Sequence, residues 1–298
     1  MEHRKKIFEK YDCFIKNGNV SGFDFYSTIR NNRNSLTFET PDIFIKQVYL
    51  LPDDLALVLD EGRVPLRTIF NADTSSVWRE IFILKMCTIL LSEDVSPHFP
   101  FHYGHVFSMD ETGRPLLFLF EEKMDMDLKM WLSRHEPDDN DWMNIFLQLF
   151  FALYGLQTQT GVCHNDLHWG NILMKTYDTP QTFTYKIHDT VIELSCQTFL
   201  LLLCDFGHAT FDPCIEKGSS NSLKDFQKVV LHLHSWSGDI ITPSIQIFID
   251  EITNTKVSSM RDLFFHHILH RVEEVTKECP KKPFDMTKKN IEFPLYSL

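Results

Sequence analysis

The chain has 298 residues, of which 43% are hydrophobic and 23% are charged. This balance is typical of a soluble globular protein with a substantial core, and the length suggests about two structural units. The formal net charge of −12 argues against non-specific nucleic-acid binding through the overall field, so we expect no direct nucleic-acid partner. The same charge is compatible with a basic protein as substrate.

The apolar segments and the cysteines bear on the cellular location of the protein. No apolar run approaches the ~20 residues that cross a bilayer, and the opening MEHRKKIFEKYD lacks the apolar segment of a signal peptide. We therefore expect no membrane association. The seven cysteines form no CxxC pair and no zinc-type spacing. This favours reduced thiols in a cytoplasmic or nuclear protein.

The first part of the chain, to about residue 120, predicts short strands around one helix. Residues 43–50 are rich in β-branched and aromatic side chains and predict a strand. Residues 78–91 predict a helix, for which residues 74–76 offer N-caps. Residues 115–120 predict a second, buried strand that ends in an acidic pair.

The second part predicts helices. One apolar stripe follows the spacing i, i+3, i+4, i+7, i+8, i+11, i+12 of a helix that ends at Gly161. Its members are Trp142, Ile145, Phe146, Leu149, Phe150, Leu153 and Tyr154. The remaining predictions are a hairpin over 182–194, a buried strand over 199–203, and helices over 223–234, 244–252 and 260–275.

Two polar motifs stand out near the middle of the sequence. HNDLHWGN begins at His164 and places Asp166 and Asn171 five residues apart, and CDFG follows the apolar stretch 199–203 with Asp205. Carboxylate and amide oxygens are hard ligands that suit Mg²⁺ carrying phosphates. Asn171 and Asp205 can hold the metal, which leaves Asp166 to accept a proton from an attacking hydroxyl. Gly207 allows a sharp turn after the metal ligand.

Together the two motifs resemble the catalytic loop and the DFG element of the protein kinase superfamily. The form DLHWGN is similar to the loop of haspin-like kinases and of the divergent serine/threonine kinases of large DNA viruses. The resemblance implies an α+β, bilobal protein-kinase-like fold, with a small strand-rich N-lobe over 1–122 and a reduced helical C-lobe over 123–298. It also implies ATP and Mg²⁺ (or Mn²⁺) as cofactors and Ser or Thr of a protein as acceptor. The compartment would be the host cytoplasm or the virion if the source is a virus.

The resemblance extends to nucleotide-binding residues in the first part. Lys46 is similar to the strand lysine of VAIK, which contacts the α- and β-phosphates, and Glu80 to the helix glutamate that pairs with it. The segment Glu121, Glu122, Lys123 and Met124 is similar to the hinge whose backbone meets adenine. A complete GxGxxG is missing, and Gly18 and Gly22 mark the nearest stretch that could cover the nucleotide.

The sequence also departs from the kinase pattern. Asn165 replaces the arginine of HRD, His168 stands where serine/threonine kinases usually place lysine, and the APE motif is absent. Asp225 resembles the helix aspartate that braces the catalytic loop, and it follows Asp205 by only 20 positions. We therefore predict a kinase that needs no phosphorylation of the segment between them. His164 is expected to be structural, hydrogen-bonded near the DFG turn.

Two alternatives stay open. Choline- and aminoglycoside-kinase relatives carry HNDL or HGDL followed by Asn and have the same short segment, which suggests a small-molecule phosphotransferase. The poor glycine loop and the missing lysine suggest a pseudokinase scaffold. The joint presence of Lys46, Glu80, Asp166, Asn171 and Asp205 argues against the scaffold.

Overall fold

The computed structural model describes residues 2–17, 27–32, 35–52, 54–55, 76–211, 221–237, 241–274 and 282–293. The chain forms two compact units. Unit 1 contains the described residues up to Thr88 together with Pro100–Met124, and unit 2 contains Ile89–Phe99 and Asp125–Phe293. The sequence predicts one boundary at residue 122, whereas residues 89–99 group with unit 2.

Unit 1 is a sheet with helices. In chain order its elements are helix α1 (Glu2–Asn17), strands β1 (Ser27–Asn32), β2 (Ser35–Glu39) and β3 (Ile43–Tyr49), helix α2 (Ser76–Ser92), and strands β4 (His102–Met109) and β5 (Pro115–Glu122). Among the described residues, the five strands form one antiparallel sheet in the order β1-β2-β3-β5-β4. The predicted strands at 43–50 and 115–120 and the predicted helix at 78–91 are confirmed as β3, β5 and α2. Within the predicted N-cap range, residues 74 and 75 lie outside the described residues.

The prediction of a single helix in this part was wrong, because α1 is a second one. Its sequence is rich in charges, and over residues 2–12 only Ile7 and Tyr11 are buried, one turn apart. Such a narrow apolar stripe is a weak signal in sequence.

Unit 2 combines helices with a long hairpin. Its elements are β6 (Met126–Asp127), α3 (Leu128–Arg134), α4 (Asp139–Thr160), β7 (Val162–Cys163), β8 (Ile172–Ile187), β9 (Thr190–Leu203), β10 (Thr210–Phe211), α5 (Asn221–Ser237), α6 (Pro243–Thr253), α7 (Met260–Leu263), β11 (Glu273–Glu274) and β12 (Phe284–Asp285). The predicted α+β class, with a strand-rich first part and helices in the second, is confirmed.

Helix α4 forms the core of unit 2. All seven residues of its predicted apolar stripe are buried. Asp138 caps its start by accepting the Asp141 N–H at 2.9 Å. Gly161 ends it with φ 71°, a left-handed conformation that glycine adopts without a steric cost. The prediction that this helix ends at Gly161 is confirmed.

Two other predictions for unit 2 need correction. The hairpin is longer than 182–194, since β8 and β9 pair from Ile172 opposite Leu203 to Ile187 opposite Thr190. The predicted helix over 260–275 was wrong beyond its first turn. After α7 the chain forms a π turn (Phe264–Ile268) and a 3₁₀ turn (Leu269–Arg271), and then strand β11. Within the described ranges, no helix has the length and apolarity that crossing a bilayer requires.

Candidate functional site

The first predicted pair of site residues forms an ion pair within unit 1. Lys46 lies on β3 and alternates with the buried Ile43 and Ile45, so its side chain leaves the sheet on the other face. Its Nζ donates to Oε1 and Oε2 of Glu80 on α2, at 2.7 and 2.9 Å. The two side chains are 18% and 6% exposed, so water screens this pair less than a surface pair.

Asp225 braces the loop that carries Asp166 in unit 2. The carboxylate lies on α5, is 3% exposed, and accepts the backbone N–H groups of His164 at 2.6 Å and of Asn165 at 2.9 Å. Gln157 of α4 donates to the same carboxylate at 3.4 Å. Hydrogen bonds from two successive amides to one carboxylate fix the loop backbone at the residues before Asp166.

The His164 side chain links the two sequence motifs. Its Nε2 lies 2.9 Å from the carbonyl oxygen of Cys204, and its ring lies 5.0 Å from that of Phe206. Burial lowers the pKa of His164 below its ordinary value, so the ring is neutral near pH 7 and its Nε2–H donates to this carbonyl. The Cys204 N–H in turn donates to the carbonyl of Asn171 at 3.1 Å. The loop and the CDFG turn therefore belong to one hydrogen-bond network.

Asn171 and Asp205 carry the oxygen atoms predicted to hold a hard cation. Asn171 is buried, and its Nδ2 donates to the carbonyl of Asp166 at 3.0 Å, so Oδ1 is its remaining atom able to ligate a cation. Asp205 is exposed and adopts φ 62°. For a residue other than glycine this conformation is uncommon and is associated with functional turns. An amide oxygen and a carboxylate fit Mg²⁺ or Mn²⁺ better than zinc.

The histidines of the loop do not form a zinc-type site. His168 uses Nδ1 to accept the Gly170 N–H at 3.1 Å, while His164 binds the Cys204 carbonyl. In the part of the chain that the structure describes, no three His, Cys, Asp or Glu side chains form a group able to hold a metal ion. Asn171 and Asp205 therefore remain the metal-ligand candidates.

Asn165 has a role that sequence reasoning missed. With φ 64°, its Nδ2 donates to Thr210 Oγ1 at 2.8 Å and to the carbonyl of His208 at 3.2 Å. Lys228 donates to the Asn165 carbonyl at 3.1 Å, and β10 pairs with β7 beside it. The amide thus joins the loop that carries Asp166 directly to the segment that follows Asp205. The departure from HRD was the available signal, but its partners could not be read from the sequence.

The predicted hinge residues are the last two residues of β5 and the two that follow the strand. Glu121 and Glu122 are both buried, and Glu122 forms an ion pair with Arg4 of α1 at 2.8 Å. Lys123 forms an ion pair with Glu39 of β2 at 3.1 Å, and Met124 is half-buried. The residues Gly18 and Gly22, predicted to cover the nucleotide, lie outside the described residues.

Comparisons with known proteins add little to this geometry. No protein-family model matches the chain, and no curated protein matches it. A solved structure described as WaaP in complex with acyl carrier protein is similar, with 14% sequence identity and a TM-score of 0.43. The match covers 89% of this chain and 88% of that chain. Similarity at this level assigns no function, so the residues of this chain must carry the functional argument.

Proposed function

We propose that the chain is an ATP-dependent phosphotransferase that transfers the γ-phosphoryl group to Ser or Thr of a protein. The observation that supports this most is the hydrogen-bond network of unit 2. Asp225 holds the backbone before Asp166, and His164 and Asn171 connect that loop to the turn that carries Asp205. The proposed proton acceptor and the two proposed metal ligands therefore share one rigid support.

In this proposal the residues of unit 1 bind the nucleotide. Lys46, oriented by Glu80, contacts the α- and β-phosphates as a fixed positive charge. The backbone of Glu121, Glu122, Lys123 and Met124 meets adenine. The existing Lys46–Glu80 ion pair argues against the pseudokinase scaffold, since it holds the lysine side chain in one orientation.

Asn171 and Asp205 hold Mg²⁺ or Mn²⁺ in this proposal. A bound divalent ion supplies neutralising charge to the phosphate oxygens, and hard oxygen ligands are suited to it. Asn171 is pre-oriented by its hydrogen bond to the Asp166 carbonyl. The exposed Asp205 carboxylate is accessible to a metal–nucleotide complex.

Asp166 orients the acceptor hydroxyl and accepts its proton. The side chain is half-buried, and the backbone on both sides is held, by Asp225 through Asn165 and by Asn171 through the Asp166 carbonyl. A base fixed in this way supplies general-base catalysis and positioning with little reorganisation.

The acceptor class is the point that an experiment must decide. Purified protein is incubated with γ-labelled ATP and Mg²⁺, with a mixed protein set that includes basic proteins and with a panel of amino alcohols and aminoglycosides. We expect label on Ser or Thr of proteins. Label on the small molecules alone would replace the protein kinase with the small-molecule phosphotransferase. No transfer to either panel, with no binding of ATP, would support the scaffold.

We further propose a cytoplasmic or nuclear location, or the host cytoplasm or virion for a viral source. Among the described cysteines, Cys87, Cys163 and Cys204 are free thiols, which fits a reducing compartment.

A further inference from the structure

Helix α1 packs on the sheet of unit 1 through a small apolar cluster. Its Ile7 and Tyr11 are buried against a set of sheet residues that includes Ile43, Ile45 and Phe120. The Tyr11 hydroxyl lies 3.3 Å from Thr40 Oγ1, and Lys10 forms an ion pair with Asp42. These contacts attach the middle of the helix to the start of β3.

A separate contact attaches the first turn of α1 to the end of β5. Arg4 directs both Nε and Nη2 at Oε2 of Glu122, at 2.9 and 2.8 Å. The same oxygen lies 3.3 Å from the Phe101 N–H, and the Glu122 N–H donates to the Phe101 carbonyl at 2.8 Å. The Arg4 guanidinium also lies over the Phe101 ring, 5.9 Å from its centroid.

The Arg4–Glu122 ion pair is largely buried, so its loss should affect the end of β5. The Glu122 side chain is 6% exposed and that of Arg4 is 19% exposed. A carboxylate this buried is unfavourable unless a charge and hydrogen bonds compensate for lost water. Without Arg4, Glu122 would gain hydration by turning outward, which would break its contact with the Phe101 N–H and weaken the attachment of the end of β5. Lys123 and Met124 follow it directly and would move with it.

We propose that Arg4 is a positioning residue of the nucleotide site and that it fixes the end of β5 through Glu122. The part of this inference that concerns ATP rests on the proposed function, whereas the part that concerns the backbone does not. Helix α1 is then a functional element of unit 1, since it sets the conformation of the segment that is proposed to meet adenine.

The test compares three variants of the full chain. Arg4→Met removes the charge but keeps the apolar stem, and Arg4→Lys restores a charge without the planar fork. Lys10→Met is the matched control, since it removes the ion pair of the same helix with Asp42 and leaves Glu122 untouched. Glu122→Gln provides a second route to the same perturbation if Arg4→Met unfolds.

Hydrogen exchange of the nucleotide-free protein is the first readout. We expect the amides of residues 122–124 to exchange about tenfold faster in Arg4→Met, a change that Arg4→Lys partly reverses and Lys10→Met does not cause. Unchanged exchange in both Arg4→Met and Glu122→Gln would overturn the proposal. Equal acceleration in Lys10→Met would also overturn it, because the effect would then belong to helix docking in general.

Steady-state kinetics is the second readout. We expect the KM for ATP to rise about tenfold in Arg4→Met while kcat stays within about twofold. A fall in kcat with an unchanged KM would contradict the positioning of the nucleotide. If the wild-type protein neither binds nor uses ATP, the proposed function fails, and hydrogen exchange still decides whether Arg4 fixes this segment.

Discussion

Replacement of Asp225 should release the proposed catalytic loop. Asp225→Ala removes the acceptor of two backbone N–H groups, those of His164 and Asn165. Hydrogen bonds to a charged group contribute about 1.5–3 kcal/mol each, so the expected loss in the free energy of unfolding is about 3–6 kcal/mol. Asp225→Asn keeps an oxygen for one N–H but turns an NH₂ group toward the other, so its expected loss is about 2–3 kcal/mol.

The assay combines denaturant unfolding with hydrogen exchange. A loss of about 2–3 kcal/mol corresponds to roughly 30- to 150-fold faster exchange of the two loop amides in Asp225→Asn, at about 1.4 kcal/mol per factor of ten. Asp189→Asn is the matched control, since Asp189 is exposed in the turn between β8 and β9. If Asp225→Asn leaves stability and loop exchange as unchanged as the control does, the brace does not hold the loop.

Three further predictions concern metal, pH and phosphorylation. The thermal shift that ATP produces should require Mg²⁺ or Mn²⁺ and vanish in Asp205→Ala, because this carboxylate is a proposed metal ligand. Burial lowers the pKa of His98 to about 4, so from about pH 6.5 downward only the unfolded chain gains its proton. His98 should therefore leave the free energy of unfolding unchanged above that pH and lower it by about 2 kcal/mol by about pH 5. His98→Gln should reduce the number of protons taken up on unfolding in this range by about one. Activity should survive complete dephosphorylation, because the Asn165 amide already bonds Thr210 without a phosphate.

Each of these has a result that would contradict it. An equally large ATP shift in EDTA would exclude metal-assisted binding. An unchanged proton uptake on unfolding of His98→Gln, measured from the pH dependence of the denaturant midpoint, would mean that His98 is not neutral in the fold. A tenfold or larger loss of activity on dephosphorylation, about 1.4 kcal/mol in the barrier, would require a regulatory phosphate. Its return on phosphorylation of Ser219, Ser220 or Ser222 would locate that phosphate.

The parts of the fold that sequence predicted well are those that short-range patterns determine. The apolar stripe from Trp142 to Tyr154 fits only a helix with a wide buried face. Gly161 ends this helix at a position that needs a left-handed backbone conformation. Strand β3 was readable because its residues are apolar and β-branched on the buried face.

The errors arose where local pattern and tertiary contacts disagree. The run after α7, FFHHILH, has helical spacing, yet the chain takes π and 3₁₀ turns before pairing Glu273 with Glu193 of the hairpin. The ends of β8 and β9 depend on pairing between strands and on two register shifts near Gln181, which no single-strand pattern reveals.

The candidate site also has residues that could be predicted from the sequence and one that could not. Spacing and resemblance identified Lys46 with Glu80 and the loop residues with Asp225, and the structure joins each of these sets by hydrogen bonds. Sequence could not identify Arg4 as the partner of Glu122, since 118 positions separate them and surface arginines are common. Contacts of such separation depend on how α1 packs on the sheet.

The most direct test of the phosphotransferase proposal is γ-phosphoryl transfer by wild-type protein and by Asp166→Asn. Purified protein is assayed with γ-labelled ATP and the best acceptor found in the panel, and ATP binding is followed in parallel by thermal shift. Loss of the proposed base should lower turnover by about 100-fold or more while the shift with Mg²⁺ and ATP is kept. Near-wild-type transfer by Asp166→Asn would contradict the assignment of the catalytic loop.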